Sequence, residues 1–278
     1  MASTATILPS LFRRQIALPQ DHGAWVFMLS PLAIGLFAGG WGDASAYLVL
    51  AAMAAFLLRQ PVTTLVKVYS HRRPRRDLPA AWFWAGFYAI LALVGVLGLA
   101  FAGHAYLVWL ALPGIPVFLI HLRLVSRREE RRQMGVELVG SGVLALAAPA
   151  AYWVGLGEAD PAGWWLFGLT WLQSAASIVY AYLRLEQREL TTRPPEAVLL
   201  KMANRAFLYT AFNLFATLIL SLFKILPPWI WLPYALQSAE TLYGAVVQPA
   251  IGWKPTRIGV RQLIVSVLFT LLFILAWG

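Results

Sequence analysis

Apolar segments of about 20 residues recur along almost the whole chain, and this repetition decides which class of protein the sequence can form. A helix needs about 20 apolar residues to cross a bilayer. Of the 278 residues, 60% are hydrophobic and 12% are charged, whereas a soluble domain carries about 25% charged residues. The sequence therefore predicts an all-α, polytopic membrane protein. Its net charge of +10 is assigned to loops at the membrane surface, and no nucleic-acid partner is expected.

Nine membrane spans are predicted, arranged as one leading helix followed by four helical hairpins. Residues 1–20 are predicted to form a cytoplasmic N-terminal tail, and residues 21–278 a single transmembrane domain. The predicted spans are Trp25–Gly40, Ala46–Tyr69, Ala80–Ala102, Tyr106–Leu124, Glu137–Gly155, Trp164–Arg184, Arg205–Phe223, Trp229–Gln248 and Gly259–Trp277.

Alternate loops between these spans differ sharply in charge. One set holds almost all of the loop arginines and lysines, whereas the other has Lys224 as its only basic residue. Basic loops stay on the cytoplasmic side of a membrane. The alternation therefore predicts a cytoplasmic N-terminus and a C-terminus outside the cell.

A polar face on the second span is the first candidate site. Arg59, Thr63 and Lys67 are spaced four residues apart, so they share one face of a helix, and Gln60 flanks that face. An arginine within an apolar span is costly in contact with lipid, so it is expected to face a cavity or a partner. These four residues are predicted to bind a substrate.

Glu240 is the only carboxylate deep within a predicted span. Two interpretations stay open: an internal ion pair or hydrogen bond, for which Arg59 is a candidate partner, or a catalytic general base that orients the substrate. Further substrate-binding candidates lie near the predicted cytoplasmic ends of other spans. They are Arg184 and Arg188, Asn204 and Arg205, and Asp21 and His22, where free N–H groups at a helix start favour an anion.

Metal and cofactor sites are not expected. The chain has no cysteine, and its four histidines show no ligand spacing typical of a metal or haem site. No cofactor is therefore predicted.

The motif PQDHGAW at residues 19–25, followed by LLRQPV at residues 57–62, resembles the YwiC-like family of bacterial integral membrane proteins. This resemblance implies a location in the bacterial cytoplasmic (inner) membrane. The nine-helix plan is also similar to the UbiA superfamily of intramembrane prenyltransferases, whose aspartate-rich motifs hold Mg²⁺ and a prenyl diphosphate. If the segment 76–79 takes the place of the R-P-L-P that follows the first of those motifs, Arg59, Gln60, Thr63 and Lys67 occupy its asparagine and aspartate positions. Magnesium needs oxygen ligands, so metal-dependent prenyl transfer is not expected.

Three functions remain open at this point. In the first, a UbiA-like cavity with a basic cytoplasmic rim binds an anionic amphipathic lipid, an isoprenoid or a quinone-like ligand, either as a binder or as a metal-independent transferase. In the second, the protein is a non-enzymatic subunit or assembly factor of a respiratory or photosynthetic complex, with a membrane protein as partner. In the third, ranked last, Glu240 and Arg59 couple transport to protons.

Overall fold

The computed structural model of the protein describes residues 11–19, 22–130 and 133–278. Within these ranges all regular elements are helical, which confirms the all-α prediction. The α-helices are α1 (Arg14–Ala17), α2 (His22–Gly39), α3 (Ser45–Tyr69), α4 (Leu78–Phe101), α5 (Val108–Ala111), α6 (Gly114–Arg127), α7 (Met134–Ala145), α8 (Ala147–Leu156), α9 (Ala162–Gln187), α10 (Glu196–Leu222), α11 (Leu232–Leu242) and α12 (Pro255–Trp277). Short 3₁₀ turns lie at Arg75–Asp77 and Ala105–Leu107, and a π-helical turn follows α11 at Tyr243–Val247.

Seven helical stretches in the described part of the chain are long and apolar enough to cross a membrane. They are Ser45–Tyr69, Arg75–Phe101, Ala105–Arg127, Met134–Leu156, Ala162–Gln187, Glu196–Leu222 and Pro255–Trp277. This set fits a multi-pass membrane protein. The predicted first and eighth spans correspond to shorter elements, α2 with 18 residues and α11 with 11 residues before its π-helical turn.

Small residues let the helices approach closely, as is common in membrane bundles. A Cβ atom on Gly95 of α4 would lie 2.8 Å from the side chain of Ala51 on α3. On α2, a Cβ on Gly35 would lie 2.8 Å from the Ala151 side chain of α8. These glycines fix the α3–α4 and α2–α8 contacts at a distance that larger residues would not permit.

The leading helix α2 lies at the centre of the bundle. It packs against α8 and α12 and also contacts α3, α7 and α9. Ser30 of α2 shares a 2.6 Å hydrogen bond with Thr270 of α12. The first and last long helices are therefore joined within the apolar interior.

The segment that precedes α2 packs against the α3–α4 hairpin. Ile16 is 1% exposed, the Tyr88 hydroxyl donates a 3.1 Å hydrogen bond to the Ala17 carbonyl, and Arg13 lies 2.9 Å from Asp77. Part of the predicted N-terminal tail is thus integrated into the fold, while residues 1–10, 20 and 21 lie outside the described residues.

Four loops meet at one end of the bundle, which we call the basic end. Arg72 binds Glu130, and the Arg205 guanidinium donates to the Met134 sulfur at 3.6 Å. The loop after α9 meets the loop before α12, because the Gly252 N–H donates to the Arg188 carbonyl at 3.3 Å. The basic loops that sequence analysis placed on the same side of a membrane are therefore neighbours in the fold.

Candidate anion-binding site

The polar face predicted on α3 is partly occupied by contacts within the protein. The Gln60 amide donates a 2.9 Å hydrogen bond to the Gln15 carbonyl, which ties the N-terminal segment to α3. Thr63 is buried, and its hydroxyl has no hydrogen-bond partner among the described residues. Arg59 is half-buried one turn away. The role of this face in substrate binding stays a prediction.

Lys67 belongs to an ion cluster at the basic end. Its ammonium lies 4.0 Å from the Glu130 carboxylate, which also receives two hydrogen bonds of 2.7 and 3.0 Å from Arg72. The Arg72 guanidinium also binds the Val125 carbonyl. The hydrogen bonds from Arg72 lower the pKa of the Glu130 carboxyl, against the opposing effect of partial burial. This cluster joins the loop after α3 to the loop after α6.

Glu240 forms an ion pair with Arg261 of α12. The guanidinium approaches both carboxylate oxygens, with Nε–Oε1 and Nη2–Oε2 distances of 2.6 and 2.9 Å, and the Tyr180 hydroxyl donates to Oε1 at 3.0 Å. Arg261 also donates to the Gln248 side-chain oxygen at 2.5 Å. The ion-pair interpretation of Glu240 thus has its partner, which is Arg261 of α12. The candidate partner expected from the sequence, Arg59, lies on α3.

Arg184 is buried at the end of α9, with 1% exposure. Its Nη1 donates to the carbonyls of Gly244 and Gln248, the latter at 2.7 Å, and to the Gln187 side chain at 3.2 Å. Its Nη2 is buried without a hydrogen-bond partner among the described residues. Its guanidinium carbon lies over the Trp253 ring, 4.9 Å from the centroid.

The π-helical turn provides the carbonyl acceptors for the side-chain donors at the end of α9. Pro249 disfavours a helical conformation at Gln248, and the chain leaves the helix there. The carbonyls near the helix end need donors, which α9 and the following loop supply: Gln187 binds the Ala245 carbonyl at 2.8 Å, and Arg193 binds the Val246 carbonyl at 3.0 Å. Irregular turns of this kind are frequent at functional sites.

A groove of about 770 Å³ opens beside this turn, between α11 and the first turns of α12. We call it the groove; it is lined by Glu240, Gly252, Trp253, Lys254, Thr256, Arg257, Val260, Arg261, Ile264 and Val265. Lys254 and Arg257 are exposed in it, and the Arg257 guanidinium lies 3.9 Å from the Trp253 ring centroid. One wall is apolar and belongs to α12.

Sequence analysis did not select Trp253, Lys254, Arg257 or Arg261. The sequence does contain a signal for a shared helix face here, because Trp253, Arg257 and Arg261 are spaced four residues apart. The same spacing marks Arg59, Thr63 and Lys67 as one face. From sequence alone, Lys254, Arg257 and Arg261 count only as loop charge, because they lie at the start of a span. The structure brings Arg261 together with the predicted residue Glu240.

The remaining predicted site residues are spread over other surfaces. Arg188 is half-buried, and its described hydrogen bonds use its backbone N–H and its backbone carbonyl. Asn204 and Arg205 are exposed on α10. Asp21 and the side chain of His22 lie outside the described residues.

Polar side chains deeper in the bundle connect helices to each other. The Gln237 amide of α11 donates to the Gln173 carbonyl and the Ser177 hydroxyl of α9, both at 3.0 Å, and Asn213 of α10 donates to the Leu172 carbonyl at 2.8 Å. These contacts hold α9, α10 and α11 together. Among the described residues, no group of three or more histidines, aspartates or glutamates is placed to hold a metal ion.

Comparisons with known proteins relate part of this chain to one family. Residues 18–152 match the family described as YwiC-like protein. The chain is 25% identical over 192 residues to the uncharacterized protein YwiC of Bacillus subtilis (strain 168), an alignment that covers 69% of this chain and 71% of the relative. No solved structure matches the chain. The region from the end of the N-terminal segment through most of α8 is therefore similar to the YwiC-like family, and the groove lies outside the family match.

Proposed function

We propose that the protein is a multi-pass protein of the bacterial cytoplasmic membrane, of the YwiC-like family, that binds an anionic amphipathic lipid in the groove. The observation that carries this proposal is the combination, in one groove at the basic end, of two exposed cations with an apolar helix wall. A lipid needs both features, one for its charged head and one for its tail.

The charge in the groove favours an anion. Glu240 is neutralised by Arg261, so the four charged lining residues, three cations and one anion, leave a net charge of +2 from Lys254 and Arg257. Arginine offers a planar fork that matches phosphate oxygens, and lysine adds a compact charge. Both groups remain accessible to a headgroup.

The apolar wall continues along α12 away from the groove. Val260 and Ile264 are exposed one turn apart, and exposed Val267, Leu271 and Leu275 extend the surface toward the far end of the helix. An acyl or prenyl chain fits along such a face, which suits an isoprenoid or quinone-like ligand as well as a phospholipid.

The proposal includes nine membrane crossings in a UbiA-like plan, with the basic end in the cytoplasm and the C-terminus outside. Its support is the pairing of consecutive helices, α3 with α4, α6 with α7, α9 with α10 and α11 with α12, around the leading helix α2. Basic loops gathered at one end agree with cytoplasmic exposure. In this arrangement the groove opens at the inner leaflet, whose surface is anionic.

The test is native mass spectrometry of the detergent-purified protein after addition of phosphatidylglycerol. Replacing Lys254→Gln and Arg257→Gln together should weaken retention of the lipid by about tenfold or more, because each charged contact contributes about 1.5–3 kcal/mol. The matched control is Arg123→Gln with Lys201→Gln, which removes the same charge from exposed positions outside the groove and should leave retention unchanged. Added Mg²⁺ should have no effect on wild-type retention.

Equal loss of lipid in the groove variant and the control would contradict the proposal, because binding would then depend on overall charge. Unchanged retention in both variants would also contradict it. A stoichiometric protein partner with no retained lipid would favour the membrane-subunit alternative instead.

A further inference from the structure

Arg184 carries a buried positive charge whose hydrogen bonds are incomplete. The side chain is 1% exposed, and Nη1 makes all three of its described hydrogen bonds, to Gly244, Gln248 and Gln187. Nη2 has none among the described residues. A buried donor without a partner is costly, and more so on a charged group. Arg184 therefore has the capacity to bind a further acceptor.

The charge of Arg184 is also not matched by a carboxylate in the described surroundings. The carboxylate described nearby, Glu240, already binds Arg261 through both oxygens and receives the Tyr180 hydroxyl. The two cations Arg184 and Arg261 and the single anion Glu240 together carry a net charge of +1. A buried charge needs a partner of opposite sign, so this arrangement favours an anion from outside the chain.

Trp253 connects this buried charge to the groove. Its ring lines the groove and lies under three guanidinium groups, with centroid distances of 3.9 Å to Arg257, 4.9 Å to Arg184 and 5.9 Å to Arg261. It follows Gly252, whose φ of +67° marks a tight turn that favours glycine. The indole thus covers the side of the Arg184 guanidinium that an anion would otherwise contact.

We propose that Arg184, Arg257 and Lys254 form a subsite for a phosphomonoester headgroup, which takes the place of the Trp253 ring against Arg184. This inference rests on the proposed function and specifies its ligand class. A phosphomonoester carries up to two negative charges and three free oxygens above its second pKa of about 6, whereas a phosphodiester carries one charge. Three cations, one of them buried with a free donor, match the dianion better.

The experiment compares two lipids with the same acyl chains, phosphatidic acid and phosphatidylglycerol, in competition for the full-length protein. Native mass spectrometry at about pH 8 gives the ratio of the two bound forms. Wild type should favour phosphatidic acid, and Arg184→Gln should reduce that preference by about tenfold, because it removes one charged contact to the dianion. Arg257→Gln should weaken the binding of both lipids. The preference should also diminish near pH 6, where the headgroup gains a proton.

Arg184→Gln also removes donors from the π-helical turn, so a second variant tests the inference without touching them. Trp253→Ala removes the group that competes for Arg184 and should raise the preference for phosphatidic acid severalfold. Its matched control, Trp229→Ala, changes an exposed tryptophan outside the groove and should not alter the ratio. An unchanged ratio in Trp253→Ala would overturn the inference, even if Arg184→Gln fails to fold.

The outcomes separate this inference from the proposed function. If both lipids bind through Lys254 and Arg257 but the ratio of bound lipids is unchanged in the Arg184 and Trp253 variants, the subsite proposal is wrong and the groove proposal is retained. If neither lipid binds wild type, both proposals fail. Glycerol 3-phosphate, which has the headgroup without tails, should not displace phosphatidic acid at equal concentration; if it does, the subsite binds a soluble phosphomonoester and the lipid assignment is wrong.

Discussion

The Glu240–Arg261 pair allows a direct test of whether Glu240 holds the fold together. Its geometry is bidentate, with N–O distances of 2.6 and 2.9 Å, and the side chains retain 15% and 23% exposure respectively. The pair joins α11 to α12 directly beside the groove. Glu240→Gln keeps the shape of the side chain and removes its charge, so the partner guanidinium remains with a weaker acceptor.

The expected cost follows from this partial burial. Breaking a fully buried pair by removing one partner costs about 3–5 kcal/mol, and a single charged hydrogen bond contributes about 1.5–3 kcal/mol. Since water reaches both side chains, we expect Glu240→Gln and Arg261→Gln each to lower the free energy of unfolding by about 2–3 kcal/mol. In the double variant no charge is left unpaired, so its cost should fall short of the sum by about 1.5 kcal/mol.

The assay is reversible unfolding in mixed micelles with increasing SDS, for wild type, both single variants and the double variant. The hydrogen bond from Arg261 to Gln248 is lost in both Arg261 variants and therefore cancels in the cycle. The matched control combines Glu240→Gln with Lys201→Gln, an exposed charge on α10, for which additive costs are expected. Additivity within about 0.5 kcal/mol for the Glu240–Arg261 pair would refute the structural role and return Glu240 to the list of candidate catalytic groups.

Three further predictions test other parts of the fold. Because hydrogen bonds from Arg72 lower the pKa of Glu130, their stabilisation is present above the unfolded-state pKa and is lost as pH falls through the folded-state value; thermal unfolding should show an advantage of wild type over Glu130→Gln at neutral pH that disappears in acid. A Cβ on Gly39 would lie 2.8 Å from the Cα of Tyr152, so Gly39→Ala should lower stability by about 1–3 kcal/mol in SDS unfolding; normal stability would contradict this packing. Gln237→Ala removes two 3.0 Å interhelical hydrogen bonds and should cost about 0.6–1.7 kcal/mol in the same assay, with an unchanged midpoint as the contrary result.

The class of fold could be predicted because it depends on signals that are local in sequence. Apolar length predicts a membrane helix whatever its neighbours are, and the ends of most predicted spans lie within a few residues of the observed helices. The π-helical turn was not predicted, although Pro249 marks the place where the eighth helix must end. The donors that satisfy its carbonyls come from α9 and the loop after it, about 50–60 residues earlier in the chain.

Partners of the charged residues could not be predicted, since charge alone does not determine which helices become neighbours. Lys67 and Arg59 carry the same charge and lie on the same predicted face of α3. The sequence does not indicate that Lys67 pairs with Glu130, which lies in a loop about 60 residues away. Glu240 has its partner 21 residues later, on the next helix of its own hairpin. Arg261 is closer to Glu240 along the chain than Arg59 is, and consecutive membrane helices pack side by side, so the partner comes from the next helix.

In the proposed subsite, Arg184 both supports the fold and binds a ligand. The π-helical turn needs donors for its carbonyls, and Arg184 supplies them through Nη1. A neutral donor such as the Gln187 amide already serves the same turn, so hydrogen bonding alone does not require a buried charge there. Desolvating a guanidinium is costly, and the cost is offset most directly when an anion binds its remaining donor. A charge that the turn does not need is the strongest reason to look for a ligand at this end of the groove.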